Sequence, residues 1–348
     1  MYKKFFMGIA AMAALTLVSC SSDDLNSLSD NSSKNEAISF DGYLGRSAVA
    51  VNGSRGSVVD KTQLHTSADG FGVFGNYIPT EGQTSNLFNN QKVTGDASAE
   101  DKWTYDPVRY WPTQGYINFL AYAPYADGTT LNNTSIDFTV LSTITAQKDL
   151  LWAKADGQTK EKGKVTFKFA HALSRLGYTV KLKDASSESV ATITLNKITL
   201  AGSEDGTTQA FYKEGTIDLS KPSSEGLWKP STSAGKQDFE WFSETQPATT
   251  ITSASTPNPD TKYLFVIPQD FKTGTDKLYV IVEYTIKYNS GSVQPTVPYK
   301  VSQQLSYNFE QGKAYTINLT IGLTPIEFNA DVKDWDPKDG ESIDASWY

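Results

Sequence analysis

Val165-Thr166-Phe167-Lys168-Phe169 and, after a short connection, Tyr178-Thr179-Val180-Lys181-Leu182 alternate apolar and polar side chains with a period of two. Successive side chains of a strand point to opposite faces, so each segment reads as a half-buried β-strand. Working outward, the same alternation recurs at Ile38-Ser39-Phe40 and at Ile117-Asn118-Phe119-Leu120-Ala121-Tyr122. Further strand signals run through Ala191–Leu200, Tyr263–Ile267, Leu278–Tyr288, Tyr299–Phe309, Ala314–Ile321 and Ile326–Val332. The connections carry turn chemistry: Asp127-Gly128, Asp156-Gly157, Asp205-Gly206, Asn289 to Gly291, and the Ser/Thr/Pro-rich run Thr245–Thr261. Helical periodicity is scarce, and Ala170–Leu176 is its best short candidate. Many short strands with few helices predict an all-β fold of antiparallel sandwiches with Greek-key connections. No repeat of blade length suggests a propeller.

Composition agrees. Of 348 residues 12% are aromatic and 39% hydrophobic, and the apolar segments are rich in Thr, Val and Ile, which suits pleated sheets. That length, less a leader, holds two domains. The polar, breaker-rich stretch from Asp156 to Gly163 predicts the boundary, giving an N-terminal sandwich over 37–163 and a C-terminal one over 164–348. A net charge of −8 without Lys/Arg clusters argues against a nucleic-acid surface and toward simple solubility.

The N-terminus reads as a lipoprotein leader. Lys3 and Lys4 precede the apolar run Phe5 to Val18, and Leu17-Val18-Ser19-Cys20 places a small residue before the chain's one cysteine. The run is too short for a spanning helix, which needs roughly 20 apolar residues. Residues 1–19 are therefore expected to be removed and Cys20 to be lipidated, with several acyl chains holding the protein on a membrane. With no second cysteine there is no disulfide, so stability rests on packing. The Ser-, Asn- and Asp-rich residues 20–36, starting Ser21-Ser22-Asp23-Asp24 after the cysteine, predict a disordered tether.

Little in the chain points to catalysis. Its two histidines, His65 and His171, and its lack of further cysteines leave too few ligands for a His/Cys zinc site. No G-x-S-x-G elbow, P-loop or dinucleotide-binding glycine motif accompanies them. His171, inside Phe167–Leu173, reads as a structural histidine. Asp334-Trp335-Asp336-Pro337-Lys338-Asp339-Gly340-Glu341 imitates a calcium loop, but Lys338 and Pro337 spoil it, and it reads as an acidic solvated tail. No enzyme activity, metal or cofactor is expected. Trp103, Tyr105, Tyr110 and Trp111 are the candidate ligand-contact aromatics, with core packing as the competing reading.

The segments together resemble the fimbrillin family, the Mfa-like fimbrial subunits and surface lipoproteins of Bacteroides-type bacteria. The resemblance runs through Ile38-Ser39-Phe40, Phe71-Gly72-Val73-Phe74-Gly75, Tyr110-Trp111-Pro112 with Ile117 to Pro124, and Asp149-Leu150-Leu151-Trp152-Ala153. It continues through Phe169 to Leu176, Phe265-Val266-Ile267-Pro268-Gln269, Gly312 to Leu319, Val332 and Trp335. It implies two transthyretin-like antiparallel β-sandwich domains and a lipidated precursor carried to the outer membrane and cell surface. The acidic pair after Cys20 is similar to the signal that exports such lipoproteins.

The implied function is a fimbrial (type V pilus) structural subunit or tip adhesin, partnered by other fimbrillin subunits in a homo- or hetero-polymer. In the scheme the resemblance implies, a trypsin-like protease cuts after an arginine near the N-terminus, the first strand leaves, and a strand from another subunit fills the groove. The candidate cut sites are Arg46, just past the strand-like Ile38–Leu44, and Arg55, in a Gly/Ser-rich context where proteolysis concentrates. The C-terminal stretch Leu319–Val332, with a bend at Gly322 and Pro325, is either the donor or a permanent strand. The alternative is a monomeric carbohydrate-binding surface lipoprotein that meets a host or bacterial glycan or protein through its aromatics.

Overall fold

The computed structural model describes residues 36–44 and 61–334, apart from 97, 100–101, 222–225, 244–248, 258–262, 290–295 and 324–326. The leader, Cys20, most of the tether, Arg46, Arg55 and the acidic tail from Trp335 lie outside the described residues. Within them the chain is nearly all β, as the alternation predicts, and no helix among them is long and apolar enough to cross a membrane.

The first elements are β1 (Phe40–Leu44), α1 (Lys61–Thr66), β2 (Phe71–Ile78), β3 (Ser85–Gly95), β4 (Trp103–Thr104), β5 (Tyr116–Ala123), β6 (Ser135–Thr139), β7 (Leu151–Gln158) and β8 (Val165–His171). All of these strands but β6 form one sheet, in the order β1-β8-β7-β5-β2-β3-β4. Its pairs are antiparallel except the outermost, where β1 runs parallel to β8. The sheet curls until its two edges meet, and the Trp103 indole N–H in β4 donates to Asp41 Oδ1 in β1 at 3.3 Å.

β9 (Ser174–Leu182), α2 (Ser187–Val190) and β10 (Ala191–Ala201) open the second half. β10 is flanked by strands Phe239–Ser243 and Leu278–Tyr288, the latter paired with Thr296–Leu305. β9 pairs in parallel with Lys313–Ile321, which forms an antiparallel pair with the last described strand, Glu327–Asp334. The bend expected at Gly322 and Pro325 falls partly outside the described residues.

Period two decides which core each side chain enters. In β5, Ile117, Phe119, Ala121 and Ala123 join an apolar cluster built only from residues up to Phe169, whereas Leu120 and Tyr122 join a second cluster that fills the other half of the molecule. β7 divides the same way, with Leu151, Ala153 and Ala155 on one side and Trp152 on the other. The outer face of the first sheet is thus covered by the second half. β6 strengthens the join, because it leaves the first sheet and pairs with Glu214–Asp218.

The sequence boundary between 163 and 164 falls between β7 and β8, two hydrogen-bonded strands, so the first sheet runs on to His171. The helix-like Ala170–Leu176 is a second departure. It is extended, finishing β8 and starting β9. The Ala172 amide donates to the Leu150 carbonyl at 2.8 Å, the Leu173 carbonyl accepts from the Gly312 amide at 2.9 Å, and both side chains are fully buried. Long-range pairing claimed a backbone whose short apolar run could not distinguish helix from strand.

Candidate functional site

Along the chain β1 is followed by the stretch 45–60 before the next described element, and it is built into the core. Its backbone pairs in register with β8 from Phe40 opposite Val165 to Leu44 opposite Phe169. The Val165 amide donates to the Ser39 carbonyl at 2.9 Å, extending this ladder by one residue. On the other side the chain ahead of β1 is held by 109–111: the Ile38 amide donates to the Arg109 carbonyl at 2.8 Å and the Trp111 amide to the Glu36 carbonyl at 2.9 Å. Lys160 Nζ lies 3.6 Å from Glu36 Oε2.

Alternation sends Ile38, Phe40 and Gly42 inward. Ile38 and Phe40 are almost fully buried. The Phe40 ring stands among those of Phe88, Tyr105, Phe119 and Phe167, with centroids 5.2 to 5.7 Å apart. Edge-to-face aromatic pairs add about 0.5–1.5 kcal/mol beyond burial, so this ring is the strand's main anchor. At Gly42 the space closes: a Cβ would meet ring carbons of Phe169 at 3.2 Å, Phe71 at 3.4 Å and Trp103 at 3.6 Å. Tyr43 turns outward and is 38% exposed. The seat accepts an extended segment reading large, large, small at alternate positions.

Its wall is built from the aromatics singled out in the sequence. Trp103, in contact with Phe71 and His65 rings at 4.9 Å, donates to Asp41. The Tyr105 hydroxyl donates to the Ile38 carbonyl at 2.6 Å, and burial pushes its pKa up, which keeps it a proton donor. Tyr110 forms a β-bridge with Ala37 and is half exposed, while Trp111 is buried and meets Glu36 through its amide. The structure brings all four together around residues 36–41 of the chain itself, with only Tyr110 presenting a largely open ring. Phe40, Asp41 and Gly42 are legible in the sequence as part of the strand-like Ile38–Leu44, but nothing in the alternation marks them as the residues that fill the seat. Arg46 and Arg55 fall in the stretch between Leu44 and Lys61, outside the described residues.

His171 lies elsewhere. Its Nδ1 is 2.9 Å from Asp149 Oδ2, both side chains are buried, and the residue borders a cleft of about 730 Å3 shared with Trp228, Asp270, Asn308 and Lys313. Among the described residues no group of three or more His, Cys, Asp or Glu is placed to hold a metal.

Comparison with known proteins bears on the whole body. A fimbrial protein from Bacteroides vulgatus has a similar structure, with a TM-score of 0.62 at 21% identity over 86% of this chain and 99% of that one. A candidate cell adhesion protein from Bacteroides ovatus matches with a TM-score of 0.50 at 17% identity over 88% of this chain and 99% of that one. At such identities these likenesses speak to the fold. Among curated proteins none matches the chain. The sequence model of the family described as fimbrillin-like matches residues 57–335. That stretch takes in everything from α1 to the last described strand, and the chain therefore belongs to the fimbrillin-like family.

Proposed function

We propose that this protein is a fimbrial structural subunit made as a lipidated precursor, anchored through Cys20 and converted for assembly by a cut after Arg46 or Arg55. The observation that carries the reading is the placement of β1. It is the outermost strand of its sheet, it lies at the N-terminal end of the described chain, and it is joined to the body by the stretch containing both arginines. A cut there severs no other connection. The strand would then be held by main-chain pairing and side-chain burial alone, and its seat is suited to strand addition from another subunit. An edge that would otherwise be an aggregation hazard is covered until then.

The lipid places the precursor at the outer membrane and the assembled subunit at the cell surface. The domain reading that fits the pairing is an N-terminal sandwich ending at His171 and a C-terminal sandwich from Ser174 onward. The carbohydrate-binding alternative draws no support from Trp103 and Trp111, which are buried.

The test is mass spectrometry of the protein from outer-membrane and sheared-surface fractions, with unboiled SDS gels. A sheared form beginning at Ser47 or Gly56 and running as a ladder is the expected result, and a double Arg46→Ala, Arg55→Ala variant should stay uncut and monomeric. A double variant that still loses its N-terminal segment and assembles normally would sink the reading.

A further inference from the structure

The cleft beside His171 is walled by three stretches that lie far apart in the sequence, 226–228, 268–270 and 308–313, together with the end of β8. We infer that it binds a neutral saccharide, with the Trp228 ring as a stacking platform and the side chains of Asp270, Asn308 and Glu310 as partners for its hydroxyls. No residue of the β1 seat lines this cleft, and neither does any of the four aromatics singled out in the sequence. The inference therefore goes beyond the assembly reading and does not depend on it.

The platform is built before any ligand arrives. Trp228 opens the strand Trp228–Pro230, where it pairs opposite Ile217. Its indole N–H donates to the Ala172 carbonyl at 2.5 Å, and its ring meets that of Phe138 edge to face at 6.1 Å. The ring is only half-buried, so fixed apolar surface remains beside the cleft, and such surface suits the C–H face of a sugar ring. A second wall comes from Gln269–Asp270, which pairs antiparallel with Asn308–Phe309. Alternation buries Gln269 and Phe309 and leaves Asp270 and Asn308, which stand opposite each other, on the solvent side. Asp270 is held rigid by its own turn: the Lys272 and Thr273 amides donate to Oδ1 at 2.7 and 3.0 Å, and the Thr273 hydroxyl donates to Oδ2. Groups fixed in advance lose little freedom on binding.

Gln269 adds a polar group to the same wall. Its Nε2 donates to the Ala210 carbonyl at 3.1 Å and to Asp276 Oδ2 at 2.9 Å, which fixes the amide and leaves Oε1 to accept. That oxygen is buried and meets no donor among the described residues, so a hydroxyl is the group this wall calls for. A cleft of about 730 Å3 lies within the range of about 300–1,000 Å3 usual for small-molecule sites. Charge then selects among ligands. Asp270 and Glu310 oppose an anion, whereas Lys313 opposes a cation. A neutral hydroxyl suits both, because it donates to a carboxylate and accepts from an ammonium.

The test is an array of mannose-, galactose-, glucose- and N-acetylglucosamine-terminated oligosaccharides, with sialylated glycans and a lysine-rich peptide beside them, probed with the labelled full-length protein. Titration calorimetry then follows the retained neutral oligosaccharide. The expected result is retention of a neutral glycan, weakened about tenfold or more by Trp228→Ala and about threefold or more by Asn308→Ala and by Glu310→Gln. Trp228 also ties the halves together, so Trp228→Ala is read beside the other two variants, whose side chains are exposed. Glu310→Gln keeps the main-chain bonds that residue 310 makes to Ser174 and Tyr315. Tyr116→Ala, an exposed ring away from the cleft's lining, should leave binding unchanged. Retention of no glycan, or of the sialylated glycans or the lysine-rich peptide alone, would overturn the inference, and so would neutral-glycan binding that Asn308→Ala and Glu310→Gln both leave unaltered. Each of these outcomes leaves the assembly reading standing, because that reading is judged on processing and multimer ladders.

Discussion

Gly42 is where one atom decides what the first strand can be. The Phe169 and Phe71 rings leave room for a hydrogen or a slightly strained methyl. In the intact chain Gly42→Ala should therefore cost under about 1 kcal/mol, whereas Gly42→Leu should cost about 2–3 kcal/mol through overpacking. Chemical denaturation checks the pair, and an equal loss for both would mean that the rings move freely. A second residue-scale consequence concerns buried phenols. Burial pushes Tyr178 up to about 12, and Tyr315, whose hydroxyl donates to the Asn308 carbonyl at 2.9 Å, to about 12 as well. The unfolded phenol ionises near 10, so the folded state holds the proton over a window in which the unfolded state has lost it. The stabilisation is then fully present below pH 10 and is lost as pH climbs from 10 to 12, on the order of 2 kcal/mol for each ring. Urea midpoints measured from pH 8 to 12 should be flat and then fall. Tyr178→Phe should soften the fall, and an unchanged slope would remove Tyr178 as a cause.

The first strand behaves as an element because its ties are separable from the rest of the sheet. The Tyr105 hydroxyl caps the Ile38 carbonyl from β1's own wall. Removing it by Tyr105→Phe deletes a hydrogen bond worth about 1 kcal/mol, and so should speed amide exchange about fivefold over residues 36–44. β5, bonded on both sides, should not change. Acceleration spread evenly over the sheet would mean that β1 does not open by itself. The strand's existence was legible in the sequence, since Ile38-Ser39-Phe40 alternates cleanly, and so were β5, β8, β9 and Leu278–Tyr288. β3 was not, because Asn86, Asn89, Asn90 and Gln91 mask its buried Phe88 and Val93, and β6 was missed because its partner lies beyond β10. The aromatics around the seat were visible as a group. Their target was not, since nothing in a linear string indicates that Trp103 closes over Asp41.

At the scale of the molecule, the two halves share more than a linker. Phe74, Leu120, Tyr122 and Trp152 from the first sheet belong to the same apolar cluster as Leu176, Ile198 and Trp241 of the second half. Three further ties cross the join. β6 pairs with Glu214–Asp218, the Phe138 and Trp228 rings meet edge to face at 6.1 Å, and the Trp228 indole donates to the Ala172 carbonyl at 2.5 Å. Independent domains are joined by small, polar interfaces, and a join that is continuous core has a different consequence, because opening it strips apolar surface from both sides at once. The protein should therefore unfold in one calorimetric transition, with calorimetric and van't Hoff enthalpies in agreement. Trp152→Ala, which empties a buried site on the outer face of β7, should cost about 3–5 kcal/mol and shift that single peak downward without splitting it. Two resolved peaks in the unaltered protein would show instead that each half carries a sufficient core of its own. The strand exchange proposed for β1 fits a single transition, because the ring cluster around Phe40 lies on the inner face of the first sheet, away from the shared core. Releasing that strand opens one side of the molecule and leaves the join intact.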